Sequence, residues 1–134
     1  MSSRSVFLKG RKMKSITIDL PLPDRALHPN ARPHYMAKAK QTKQHRQWAA
    51  TSASLMRCDR EPWEAVTVLC QFTFRDKRTR DKDNLLSWCK AYFDGIADAS
   101  IVRNDSAMTH LPVEIMPPDK NKTGVTITVT KVKP

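Results

Sequence analysis

The chain has 134 residues, 40% of them hydrophobic, and a formal net charge of +11 from 24 Lys/Arg against 13 Asp/Glu. That length suits one domain able to bury roughly two-thirds of its unfolded surface, and the apolar fraction suits a globular chain rather than a disordered one. No apolar run approaches the ~20 residues a membrane-spanning helix needs. Cys58, Cys70 and Cys89 are odd in number and contain no Cys-x-x-Cys pair, so neither a disulfide framework nor a zinc site is indicated. The basic N-terminus lacks the apolar centre of a secretory signal, so a cytoplasmic location is expected.

The charge is uneven. Residues 1–60 hold 13 Lys/Arg and 3 Asp/Glu, whereas residues 61–134 hold 11 and 10. With a pI near 10.0, the first half has the footprint of a polyanion binder, and nucleic acid leads as partner. A solvated basic face or an acidic membrane surface would satisfy composition equally.

Residues 1–14 are read as a basic, flexible lead-in to a single domain over 15–134. Ser15–Leu20 alternates and is rich in β-branched residues, which predicts a first strand. Pro21, Pro23, Pro29 and Pro33 then impose an irregular loop through Tyr35. From Ala37 to Met56 there is no Gly or Pro, so a helix is predicted, with Trp48, Ala49, Ser52 and Leu55 as its thin apolar stripe. Ala65–Phe74 opens with a near-continuous apolar run and predicts a central strand. A charged loop over 75–82 leads into a second helix from about Asn84 to Ala99. A strand around Ala107–Met116 and a terminal strand over Val125–Val132 follow, separated by a Pro-rich turn. The order β-α-β-α-β-β predicts an α+β domain: a mixed sheet with helices packed on it.

The charged loop ends Arg80-Asp81-Lys82-Asp83-Asn84. On a wheel of the second helix, Leu85, Cys89, Tyr92, Phe93 and Ile96 form the core face, while Asp83, Ser87, Lys90 and Asp94 fall within about 60° of one another opposite. Two carboxylates converging where strand gives way to helix suit a hard cation such as Mg²⁺ or Mn²⁺. An Asp at this position equally suits a helix N-cap that needs no metal. An EF-hand is excluded, because Leu86 and Tyr92 stand where Gly and Glu are required.

From about Ile16 to Val132 the chain resembles the RusA-like Holliday-junction resolvases, small endodeoxyribonucleases of phages and prophages. The resemblance rests on Leu20-Pro-Leu-Pro23, His28-Pro-Asn-Ala-Arg32, the basic helix, Arg80-Asp81-Lys82-Asp83-Asn84-Leu85, Lys90-Ala-Tyr-Phe-Asp94 and Asn104-Asp105. It implies that Asp81, Asp83 and Asp105 hold Mg²⁺, with Mn²⁺ as substitute, that Lys90 is the catalytic lysine, and that Asn30 lies near DNA. One departure is visible: Lys90 stands seven residues past Asp83, where the short form of the pattern has four and this chain has Ser87.

The activity so implied is metal-dependent hydrolysis that resolves four-way DNA junctions by paired nicks. The metal polarises a phosphoryl oxygen and acidifies a bound water, and Lys90 offsets developing charge. Two active sites require a homodimer. Branched DNA is the expected partner, rather than a membrane or a small molecule. Arg32, Lys38, Lys40, Arg75, Lys77, Arg78, Arg80 and Lys82 are the cations expected to join Asn30 at the phosphates. The competing reading is a non-catalytic basic nucleic-acid-binding protein in which the Asp81-Lys82-Asp83 pair only caps a helix. His28, His34, His45 and His110 show no ligand spacing and are read as surface or capping residues. Trp48 and Trp63 are read as core, and Trp88 as core edge or dimer contact. Asp94 and Asp98 are read as solvated helix acids, with Asp94 placed to orient Lys90.

Overall fold

In a computed structural model of the chain, the backbone is described for residues 4–8 and 11–132, and side chains from Lys14 to Val132 apart from Asp105. Its elements are β1 (Arg4–Leu8), β2 (Arg11–Leu20), α1 (Tyr35–Met56), β3 (Val66–Thr73), α2 (Lys82–Trp88), α3 (Lys90–Asp98), β4 (Met108–His110), β5 (Glu114–Ile115) and β6 (Gly124–Lys131). Among the described residues the strands form one sheet in the order β1-β2-β6-β3-β4, with β5 also paired to β3. The α+β expectation holds.

Alternation drives the sheet. Ile16, Ile18 and Leu20 of β2, Val125, Ile127 and Val129 of β6, and Val66, Val68, Cys70 and Phe72 of β3 are all buried. The antiparallel registers Ile18↔Ile127 and Cys70↔Ile127 line them up as cross-strand neighbours on one face. The opposite face carries the half-buried Thr67, Leu69 and Gln71 beside Thr126, Thr128 and Thr130. β2 and β3 both oppose β6, so they run parallel to each other; β4 and β5 are parallel to β3. The connections through α1 and through α2–α3 are therefore crossovers that place both helix heads at the carboxyl ends of β2 and β3.

Several boundaries differ from expectation. The first strand begins at Arg11 and pairs with β1, in a stretch where no strand was predicted. The strand predicted over Ala107–Met116 is two short pieces, because Leu111–Val113 leaves the ladder around Pro112. The predicted second helix is broken at Cys89, whose φ of −92° and ψ of 8° end α2. The break lets Leu85 bury from α2 and Tyr92, Phe93 and Ile96 from α3. The apolar stripe of α1 also differs: His45, Ala49, Ala53 and Met56 are buried, whereas Trp48 and Leu55 are 38% and 81% exposed. Trp48 is thus not core, and His45 is not a surface residue.

The small side chains of that stripe have a packing reason. A Cβ at Gly95 would overlap the Arg46 carbonyl and lie 2.8 Å from the Ala49 Cβ. Only glycine lets α3 approach α1 this closely. Outside the contact, Arg46 clamps Asp98 with two hydrogen bonds, Nε at 2.5 Å and NH2 at 2.8 Å. Asp98 is therefore paired rather than simply solvated, and the guanidinium holds its carboxyl below the usual range.

Candidate nucleic-acid interface and metal centre

The 75–82 loop is built around one carboxylate. Asp76 accepts the Arg78 backbone N–H at 3.1 Å and the Arg80 guanidinium at 2.8 Å. Those donors hold its pKa below the usual carboxylate range, the Arg78 N–H contributing most. Arg80 also donates to the Arg78 carbonyl at 2.8 Å and lies 3.7 Å above the Phe74 ring, a cation–π contact. Its side chain is 19% exposed, against 79% for Arg78. Arg80 thus stiffens the loop, while Arg75, Lys77, Arg78 and Lys82 face solvent.

Asp81 follows directly and caps α2. Its Oδ1 accepts the backbone N–H groups of Asp83 at 2.9 Å and Asn84 at 3.3 Å, which satisfies two otherwise unpaired donors of the first turn. Its Oδ2 makes no hydrogen bond with a described residue. The Asp83 carboxylate, on the second residue of the helix, is exposed and likewise unpaired among the described residues.

Across from this helix head runs the 21–34 loop. Three side chains tie it down. The Tyr92 hydroxyl donates to the Pro21 carbonyl at 2.7 Å, the Trp88 indole N–H to the Asp24 carbonyl at 2.9 Å, and His45 Nε2 accepts the Asp24 N–H at 3.0 Å. His45 Nδ1 pairs with the Gln41 carbonyl at 2.8 Å, so this buried ring is the Nδ1–H tautomer. The loop then carries Asn30 into a groove of about 450 Å³ lined by Leu22, His28, Asn30, Phe74, Thr79, Arg80, Asp81, Asn84, Leu85 and Trp88. The groove lies beyond the carboxyl ends of β2 and β3, where ligands of α/β sheets commonly sit.

The remaining expected residues are more dispersed. Lys90 opens α3 beyond the break, and its Nζ lies 3.3 Å from Asp94 Oδ2. Asp94 therefore does engage Lys90, but the single polar face drawn from Asp83 to Asp94 is interrupted at Cys89. Asp105 begins a 3-10 turn just before β4, whose Met108 pairs with Val66 at the start of β3. Its backbone thus belongs to the amino end of β3, whereas Asp81 follows the carboxyl end; its side chain lies outside the described residues. Arg32, Lys38 and Lys40 are exposed on the loop end and first turns of α1. Among the described residues no group of three or more His, Cys, Asp or Glu side chains is gathered as a metal cage. The donors at the groove fit Mg²⁺ nonetheless, since that ion is commonly held by one or two carboxylates plus waters and phosphate oxygens.

No protein-family model matches the sequence. Over 112 residues, 78% of this chain and 69% of the other, it is 31% identical to a protein of Xylella fastidiosa (strain Temecula1) described as "Uncharacterized protein". The chain belongs to the family of that protein. The Xylella relative's description names no activity.

Sequence reasoning passed over His45, Tyr92 and Trp88 as the anchors of the Asn30 loop. Each combines an apolar body with a polar tip, a combination that indicates buried hydrogen bonding, but the partner is a backbone group 21 to 71 residues away. No local pattern marks such partners. Among the described residues no helix is long and apolar enough to cross a membrane.

Proposed function

We propose that this protein is a divalent-metal-dependent endodeoxyribonuclease of the RusA-like type, which resolves four-way DNA junctions by paired nicks in a bacterial host cytoplasm. The observation that carries the reading is the groove itself. It brings Asn30 and Asp81 together from segments 51 residues apart in sequence, beside an exposed row of cations. A carboxylate lining a groove with exposed cations on the adjoining loop repels a phosphate unless a cation lies between them, and a hard cation is what Asp81 and Asp83 are chemically suited to take.

Bound there, Mg²⁺ or Mn²⁺ would polarise a phosphoryl oxygen and lower the pKa of a coordinated water. The chain's own residues do the rest. Asp81 uses Oδ1 for the cap and keeps Oδ2 for the cation, so capping and ligation are compatible roles of one side chain. Asn30 donates an amide N–H to a phosphate oxygen. Lys77, Arg78 and Lys82 attract and orient the backbone. Lys90, steadied by Asp94, supplies positive charge behind the helix head. Cutting opposed strands at one junction takes two such sites, hence a homodimer. A sedimentation profile that stays monomeric with and without junction DNA would contradict it.

The two cap bonds of Asp81 favour one other reading: a non-catalytic basic protein that binds nucleic acid. A labelled four-way junction incubated in Mg²⁺ separates them. The nuclease gives symmetric nicks that vanish with EDTA and in Asp83→Asn; the binder shifts the junction without cutting it. Asp105→Asn tests the third ligand that the resemblance implies.

A further inference from the structure

We propose that His34 and Tyr35, at the head of α1, form a stacking platform for an unpaired base at the branch point of the DNA, an inference that rests on the DNA reading above. The two rings are stacked, with centroids 4.6 Å apart and planes inclined by 29°. His34 is fixed from behind, because its Nδ1 accepts the Met36 backbone N–H at 3.2 Å as the N-cap of α1. One face of Tyr35 is therefore covered by a ring that the helix start holds in place. Tyr35 nonetheless remains 76% exposed, so its other face meets solvent.

A single exposed aromatic is ordinary on a protein surface. Here Met36 beside it is also 62% exposed, and the Tyr35 hydroxyl has no hydrogen-bond partner among the described residues. The ring contributes neither to the core nor to a polar network. Its surroundings are cationic: Arg32, Lys38 and Lys40 are exposed and form no ion pair with a described residue. Aromatic faces set among unpaired cations are what single-stranded nucleic acid binds, the rings stacking on bases while the cations follow the phosphates.

Position supports a role at the junction. α1 and α2 follow the parallel strands β2 and β3, so both helices are entered from the carboxyl ends of those strands, and Tyr35 is five residues past Asn30. A chain of that length spans at most about 18 Å, so the platform stands within a few nucleotides of the groove. A strand crossing Asp81 can place a base that has lost its partner at the branch point onto Tyr35.

The test uses the full-length protein and three DNA probes: a four-way junction with 2-aminopurine at the branch point, an oligothymidylate bearing one 2-aminopurine, and a blunt duplex of equal length. Wild type should quench 2-aminopurine in the first two. Tyr35→Ala should abolish the quenching and weaken binding to both by about tenfold, leave duplex binding unchanged, and preserve the circular dichroism spectrum. Tyr35→Phe should behave as wild type. If Tyr35→Ala quenches and binds the junction like wild type, while wild type nicks that junction in Mg²⁺, the platform is refuted and the nuclease reading stands. If wild type neither binds nor nicks the junction, both fall.

Discussion

The indole N–H of Trp88 donates to the Asp24 carbonyl at 2.9 Å, which joins the last residue of the helix capped by Asp81 to the loop that carries Asn30. The ring also meets His28 edge-on, with centroids 5.7 Å apart. Trp88 thus touches both walls of the groove, alongside the Tyr92 and His45 bonds that hold the same loop. Trp88→Phe keeps the apolar body and removes the donor. It should lower stability by about 0.5–1.5 kcal/mol and reduce junction nicking more than junction binding. Urea denaturation together with a gel-based nicking assay reads both effects.

Asp81 separates structural from chemical roles. Asn is as good an N-cap as Asp, whereas Ala leaves the Asp83 and Asn84 N–H groups unpaired. Asp81→Asn should therefore unfold within a few tenths of a kcal/mol of wild type and Asp81→Ala about 1 kcal/mol earlier, with nicking lost in both. Chemical denaturation of the two variants checks the ordering.

Close packing of α3 on α1 gives a second stability prediction. Gly95→Ala forces a methyl group against the Arg46 carbonyl and the Ala49 Cβ, where backbone cannot yield cheaply. A loss of about 1–3 kcal/mol is expected, typical of overpacking. A thermal midpoint equal to wild type would show that the helices have room to separate.

Asp59 ties the second strand to the approach of the third. It accepts from Lys14 at 2.6 Å and from the Trp63 indole at 2.5 Å, and these bonds, Lys14 first, hold its pKa below the usual range. A depressed folded pKa contributes stability above the unfolded value, near 3.9, and loses it as pH falls through the folded value. The melting-temperature gap between wild type and Asp59→Asn should thus be full at pH 6 and narrow below about pH 4. A gap that widens on acidification would contradict the assignment.

The strands over Ile16–Leu20 and Val125–Val129 were readable from alternation with β-branched residues, and that over Val66–Phe72 from its near-continuous apolar start, all of them local signals. A capping role for the Asp81-Lys82-Asp83 pair was equally local, but which of the two caps was not. With the helix expected from about Asn84, Asp83 stood at its entry, whereas the helix starts at Lys82 and Asp81 is its cap. The break at Cys89 was not: residues 84–99 hold no Pro, and the sole glycine, Gly95, lies inside α3 rather than at the break. The interruption follows from where Trp88 and Tyr92 find backbone partners on a distant loop. His45 escaped for a related reason, since nothing in its neighbours along the chain announces that Asp24 will donate to it. That Asn30 and Asp81 line one groove was not readable locally, because only the parallel course of β2 and β3 brings the two loops to the same end of the strands.

On the proposed function, Asp81 in the groove and Asp83 beside it hold a cation for strand cleavage rather than merely capping a helix. Asp81→Asn, which preserves the cap, tests it most directly when junction binding and Mg²⁺-dependent nicking are measured on the same labelled four-way junction. Binding at wild-type affinity with nicking abolished is the predicted result. Nicking at the wild-type rate, or no nicking by either protein, would contradict it.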